Sequence, residues 1–308
     1  SCDYASVHLY RSWSEARAML RADLADADAV ILGSYVQDGI EAAEFLAEEF
    51  PGPRFFYDID TPVTVQAYRD RGGAAYLRAD QVPLFDVYLS FTGGPVLEEL
   101  ERVYGAPRAS ALYCAVDPLE HRQSAARAEY RSDLGYMGTY APDRQQGLEQ
   151  FLNEPARRRP DLRFVVAGPQ YPADLSWPSN VRRFDQIAPA DHPAFYCSSR
   201  LTLNLTRAEM RRWGWSPSVR IFEAAACGAA IVSDWWAGLD HFLVPDSEVL
   251  IAHCTEDVLA ALELSDAELR SIGEAARERI LAEHTSAARA AQLEAEVERA
   301  AQRDHVVR

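Results

Sequence analysis

The feature that most restricts what this chain can fold into is an alternation. Short apolar runs bounded by Gly, Pro, Asn and Asp recur between stretches of helical periodicity along most of the length. Apolar runs with no polar alternation suit strands buried on both faces, and strand–helix alternation is the pattern of parallel sheets built from βαβ units. Strands are expected at 29–33, 54–57, 87–91, 111–114, 134–138, 164–167, 181–184, 201–205, 229–233 and 249–252, with helices at 39–49, 95–104, 144–158, 193–197 and 217–227. The segment 117–131 has a proline, mixed charge and no apolar period, so a domain junction is expected there. The reading is an α/β chain with an N-terminal domain over 1–116, a C-terminal domain over 117–285 and a last helix over 286–308.

Past Cys254 the pattern is helical, with Thr255 as an expected N-cap. Ser265 and Glu268 form a capping box for a helix to about Glu283. The final helix is Ala- and Glu-rich and reads as a solvated face. The chain opens on Ser1, and before 29–49 it has only an extended-looking run over 4–10 and a helix-like stretch over 14–23. The expectation is an N-terminal domain missing its first strand and helix, with an exposed edge or apolar face.

Charge narrows the function classes. The 308 residues carry 31 basic and 47 acidic side chains, a net charge of −16, and every basic residue is an arginine. Such a chain repels phosphate backbones and anionic membranes unless a basic face is segregated, so nucleic acid is not an expected partner. No stretch approaches the roughly 18 apolar residues of a membrane-spanning helix and no signal peptide opens the chain, so a cytoplasmic protein is expected. The five cysteines are far apart without a CxxC pair, and reduced, mostly buried thiols are expected. The seven histidines form no metal-ligand motif. Serine-hydrolase elbows and P-loops are absent from the sequence.

A local arginine cluster then stands out. Residues 207–220 hold Arg207, Arg211, Arg212 and Arg220 against Glu209 alone. Ser216 followed by Pro217 reads as a helix start, and Gly228 as its stop. Free N–H groups and the dipole at such a start suit a phosphate, with Ser216 and Ser218 adding hydroxyls. Ser216, Arg220 and Glu223 fall at i, i+4 and i+7 on one face. Hydroxyls, N–H groups and a guanidinium suit a diphosphate, and a carboxylate one turn further in suits a ribose diol. A surface ion pair between Arg220 and Glu223 is the other reading, in the less favoured orientation for an i, i+3 pair. Trp213, Trp215, Trp235 and Trp236 flank this helix, as faces for a sugar ring or as packing. Asp234 and the turn at 238–240 follow a strand, where open parallel sheets hold ligands.

Two other places invite attention. LGYMGTYAPDR (134–144) ends a strand on Gly138 and Thr139 and opens a helix near Arg144, an approach point for a phosphate. In FFYDIDTP (55–62), Asp58 and Asp60 follow a strand. Without a third ligand in view the pair reads as a turn before Pro62, and no metal is expected. Asp60 is the candidate catalytic residue.

SPSVRIFEAAACGAAIVSDWWAGLDHFLVPDSEVLIA (216–252), with FYDIDTPVT (56–64), FTGG (91–94) and LGYMGTYAPDR (134–144), resembles the CgeB-like glycosyltransferases, a spore-maturation-protein group of the GT-B clan. The resemblance implies two Rossmann-like domains facing across a cleft, a nucleoside-diphosphate sugar held mainly by the C-terminal one and an unidentified acceptor by the N-terminal one, with no further cofactor. By it, Glu223 contacts the donor ribose, Ser216, Ser218 and Arg220 the diphosphate, and Gln186 and Ile187 bracket the base. Related retaining enzymes carry a second Glu eight residues earlier, where this chain has Trp215, and a lysine near the diphosphate, a place left here to Arg144 or Arg207. The implied activity is metal-independent hexosyl transfer. A GT-B nucleotide-sugar epimerase and a non-catalytic spore-coat scaffold are the alternatives.

Overall fold

Among the described residues every strand runs parallel to its neighbours, in two separate sheets. The computed structural model describes residues 5–307. Cys2, Tyr4 and Ser1 therefore lie outside the described residues. The chain divides into two compact units, residues 1–112 with 291–308, and Tyr113–Ala290. The last helix, expected as a segment of its own, thus joins the first unit from Ala291 onward.

The first unit runs α1 (Trp13–Asp23), β1 (Val30–Gly33), α2 (Gly39–Glu49), β2 (Arg54–Asp58), α3 (Thr61–Arg71), β3 (Val87–Ser90), α4 (Pro95–Arg102) and β4 (Ala109–Ala111), with the strands in sequential order β1-β2-β3-β4. α3 corrects the turn expected at Pro62. Pro62 sits in the first turn, where its fixed φ favours a helix and its missing N–H costs nothing, and Gly72 ends the helix in the left-handed region at φ 75°. β4 begins two residues before the expected run because Ala109 to Ala111 pair with Tyr88 to Ser90. β1 forms one edge and leaves Ile31 exposed.

The second unit begins with the irregular segment expected as a junction, which packs here through Ser124 N–H to Cys197 Sγ (3.3 Å) and Arg127 N–H to Ser198 Oγ (2.8 Å). It continues through β5 (Ser132–Met137), α5 (Pro142–Leu148), a π-turn (Glu149–Asn153), α6 (Glu154–Arg158), β6 (Phe164–Ala167), β7 (Val181–Phe184), α7 (His192–Ser198), β8 (Ser199–Asn204), α8 (Ala208–Trp213), α9 (Val219–Ala226), β9 (Ala230–Asp234), α10 (Leu239–Phe242), β10 (Leu250–Ala252), α11 (Thr255–Glu263) and α12 (Asp266–Glu283). α13 (Ser286–Val307) follows. The strand order is β7-β6-β5-β8-β9-β10, the 3-2-1-4-5-6 arrangement of a Rossmann-like sheet. Leu134, Tyr136, Phe164, Val166, Leu201, Leu203 and Val232 fill the core against Leu148, Phe151, Val258 and Leu262.

Two helix starts move and one holds. α9 starts at Val219, capped by Ser218, whose hydroxyl accepts Arg220 N–H, so Ser216 and Pro217 precede the helix. α11 is capped by Cys254 and not Thr255, because the Asp257 carboxylate reaches back to the N–H groups of His253 (2.7 Å) and Cys254 (3.0 Å). At α12 the Ser265–Glu268 capping box is present and the helix ends at Glu283. In α13, Leu293, Val297 and Ala300 pack on Phe55, Val87 and Leu89 of the first sheet, so this helix has a buried face as well as a solvated one. Glu296 on that face takes both arms of Arg108, at 2.8 and 2.9 Å. Cys114, Cys197, Cys227 and Cys254 are all free thiols, the first and third buried. Among the described residues no helix is long and apolar enough to cross a membrane.

Candidate functional site

In the second sheet the strand order reverses between β5 and β8, and ligands of open α/β sheets bind at the carboxyl ends of strands beside such a reversal. One side chain spans that place. Arg220, buried in α9, donates from Nε to the Met137 carbonyl at the end of β5 and from Nη1 to Asn204 Oδ1 at the end of β8 (2.9 Å). Its guanidinium lies 5.0 Å over the Tyr136 ring. Asn204 in turn donates to Ser233 Oγ of β9 (2.9 Å). Arg220 and Glu223 therefore turn to different partners and are not the surface pair that their spacing allowed.

Beside Arg220 opens a cavity of about 460 Å³ lined by Gly138, Thr139, Arg144, Gln186, Ile187, Ser218, Arg220 and Glu223, with Gly168, His192 and Tyr196. Small residues make its floor. Gly168 has φ 146°, and a Cβ there would stand 2.1 Å from the Gly138 carbonyl oxygen, so no side chain fits where the two loops touch. A Cβ on Gly138 would stand 2.8 Å from Arg220 Nη2. Arg144 donates to the Thr139 carbonyl at 2.5 Å and holds that loop in place. Glu223 Oε2 accepts from the Tyr196 hydroxyl at 3.0 Å, and burial, reinforced by this carboxylate, raises the Tyr196 phenol well above its ordinary range.

Eight of the eleven residues given a binding or catalytic role from the sequence thus line one cavity. Three do not. Ser216 is buried ahead of α9 and is not part of the wall. Arg207 stands at the start of α8, with its guanidinium 3.7 Å from Asp143. Asp60 belongs to the first unit, where it begins α3 and accepts from the Tyr35 hydroxyl at 2.7 Å. Burial and that bond raise the Tyr35 phenol. Of the tryptophans, Trp236 is core against Phe242, and Trp215 lies over Gly238. Trp235 lines a neighbouring cavity of about 270 Å³ with Arg144, Arg211 and Asp234. Asp234 is buried at the end of β9 and accepts both the N–H (3.1 Å) and the hydroxyl (2.9 Å) of Thr206. Burial pushes its carboxyl up to about 6 against those bonds.

His121, His192, Tyr196, Met137 and Asn204 were not singled out. His192 and Tyr196 lie one turn apart on α7, but His121, Met137 and Asn204 come from other segments without motif spacing, and only the fold assembles the group. A larger hollow of about 660 Å³ lies at the amino ends of the same strands, around Ser132, Ser199 and Arg200, the end of the sheet that such folds do not use for ligands.

Comparison with known proteins bears on the family pattern and the fold. Residues 144–295, about half of the chain, match the model of the family described as Glycosyl transferase-like. No curated protein matches in sequence. Among solved structures the chain is similar to sucrose-phosphate synthase from Thermosynechococcus elongatus, with a TM-score of 0.65 and 15% identity over 93% of this chain and 77% of that one. It is similar to HepE from Anabaena in complex with UDP-glucose, with a TM-score of 0.65 and 12% identity over 92% and 82%. It is also similar to α,α-trehalose 6-phosphate synthase from Burkholderia multivorans, with a TM-score of 0.66 and 16% identity over 94% and 75%. By that match residues 144–295 carry the glycosyltransferase-like family pattern, and the chain is an α/β protein of two parallel sheets whose fold matches that of GT-B glycosyltransferases.

Proposed function

We propose that the protein is a GT-B glycosyltransferase of the CgeB-like group that moves a hexose from a nucleoside-diphosphate sugar to an acceptor without help from a metal, with the cytoplasm as its expected compartment. The observation that carries the reading is the meeting of Gly138, Thr139, Arg144, Ser218, Arg220, Glu223, Gln186 and Ile187 around one cavity at the strand-order reversal. In this reading the loop at Gly138 and Thr139, the start of α9, Arg144 and Arg220 hold the diphosphate. Glu223, fixed by Tyr196, takes the ribose hydroxyls. Gln186 and Ile187 border the base. Arg220 is already oriented by Met137 and Asn204, so a departing diphosphate meets a fixed cation and needs little reorganisation. The remaining contribution is positioning of donor against acceptor.

Calorimetry with UDP, GDP and ADP tests this. At least one should bind saturably, and Glu223→Gln should weaken it by about tenfold, one lost hydrogen bond to a charged group. Turnover of the sugar nucleotide should survive EDTA. Binding of none of the three diphosphates would support a scaffold, and consumption of a sugar nucleotide without any acceptor would support an epimerase.

A further inference from the structure

One cluster at the cavity wall has a chemistry that nucleotide binding does not use. His121 comes from the irregular segment before β5, His192 opens α7 and Glu223 lies in α9. One ligand atom from each lies within 4.8 Å of the other two, and none of the three residues is exposed. His121 Nε2 is shut off from solvent and makes no hydrogen bond. It faces Glu223 Oε1 at 3.6 Å, too long for a hydrogen bond. Buried polar atoms in folded proteins nearly always have a partner, so an imidazole nitrogen left in this position asks for one. Two ligands at tetrahedral angles around one zinc ion lie about 3.3–3.5 Å apart at ordinary zinc bond lengths, close to the 3.6 Å between His121 Nε2 and Glu223 Oε1. Glu223 Oε2 is held by the Tyr196 hydroxyl, the kind of outer contact that fixes a ligating carboxylate, and Oε1 faces His121.

We propose that His121, His192 and Glu223 form a binding site for zinc or a closely related transition ion, and that the bound ion excludes the nucleoside diphosphate. Two imidazole nitrogens and one carboxylate oxygen suit zinc and not magnesium or calcium, which take oxygen ligands. Three protein ligands leave a fourth position for water. The exclusion follows because Tyr196 already occupies Glu223 Oε2, so an ion on Oε1 takes the oxygen that a ribose diol needs. That second half rests on the function proposed above, whereas the metal site does not. The ion is an inhibitor in this scheme, so removing it leaves transfer intact or raises it.

The test titrates zinc into the metal-stripped chain without nucleotide. One ion per chain is expected, with affinity at least about tenfold weaker in His121→Ala and in His192→Ala. Cys197→Ser should bind zinc as the unmutated chain does. Cobalt bound to the unmutated chain should show visible d–d bands without a sulfur-to-cobalt charge-transfer band, a readout that does not depend on any variant folding. No saturable binding below millimolar zinc would overturn the site, as would affinity that survives both histidine changes or a cobalt spectrum showing thiolate. UDP binding undiminished by saturating zinc would overturn the exclusion. A stripped chain that binds zinc through His121 but no nucleoside diphosphate would overturn the proposed function and leave the metal site standing.

Discussion

The two sheets are made from the same strand–helix alternation, yet they finish their carboxyl ends differently. In the first, each strand lies beside its sequence neighbour, and the end is stitched by short local bonds. Tyr88 donates to Asp58 at 2.6 Å, the hydroxyls of Thr61 and Ser90 meet at 2.7 Å, and those of Thr64 and Tyr76 at 2.6 Å. In the second, the chain starts in the middle of the sheet and builds outward both ways, so β5 and β8 lie side by side while the loops that follow them diverge. A long side chain, Arg220, bridges the opening, and the cavity lies beside it. The same local grammar yields a self-satisfied sheet end in one case and a ligand-sized opening in the other, and strand order makes the difference.

The sharpest way to break this comparison is Arg220→Ala. It removes the guanidinium that serves the Met137 carbonyl and Asn204 Oδ1, and the expected loss is about 2–6 kcal/mol, at about 1–3 for each orphaned acceptor. Urea unfolding measures it. Nucleoside-diphosphate binding should fall by more than about tenfold in any folded fraction, since a hydrogen bond to a charged group is worth about 1.5–3 kcal/mol. A fully stable variant would mean that the bridge does not hold β5 to β8.

Next comes Asp234→Asn, which probes the charge at the second sheet's end. Asp234 keeps its proton up to about pH 6 in the folded state, against about 3.9 unfolded, so the folded protein binds more protons across that window. Stability from this group is full below pH 4 and is lost as pH rises toward 6, by about 2–3 kcal/mol. His284, pulled down by burial to about 4, acts in the opposite sense, but it is common to both proteins and cancels in their difference. Unfolding free energies at pH 4 to 7 should therefore separate wild type from Asp234→Asn increasingly as pH rises. Parallel curves would contradict the raised carboxyl.

A smaller effect is expected from Tyr88→Phe in the first sheet, where Asp58 loses its phenol partner at a cost of about 1–2 kcal/mol. Nucleotide affinity should not change, and a matching loss of affinity would blur the contrast between the sheets. Smallest is Ser218→Ala, which removes the cap of α9 for about 1 kcal/mol. Thermal melting and UDP calorimetry should show a slightly lower midpoint and a weakening of only a few fold.

Much of this was legible in advance. Apolar runs such as 164–167 and 229–233, short and bounded by turn residues, read as buried strands, and Ser265 with Glu268 specifies a helix start by bonds three residues apart. Arg220 and Glu223 were readable because a helical spacing of three puts them on one face, whereas Ser216, expected on that face, lies ahead of the helix and Ser218 takes the cap. The start of α9 was misplaced by two residues, since Ser216-Pro217 and Ser218 are both competent starts. The helix α3 hid behind Asp58 and Asp60, which look like turn residues.

By itself, then, the sequence determined the alternation, the parallel pairing it requires, the shared face of Arg220 and Glu223 and the run of arginines at 207–220. Tertiary structure decided which of those arginines meets the cavity, that His121 and His192 converge on Glu223 from segments 71 residues apart, and that the last helix has a face for the first sheet. The physical reason is range. Capping, turn chemistry and helical periodicity act over a few residues and are written locally, whereas strand order and the meeting of distant loops depend on how all the apolar faces are buried at once.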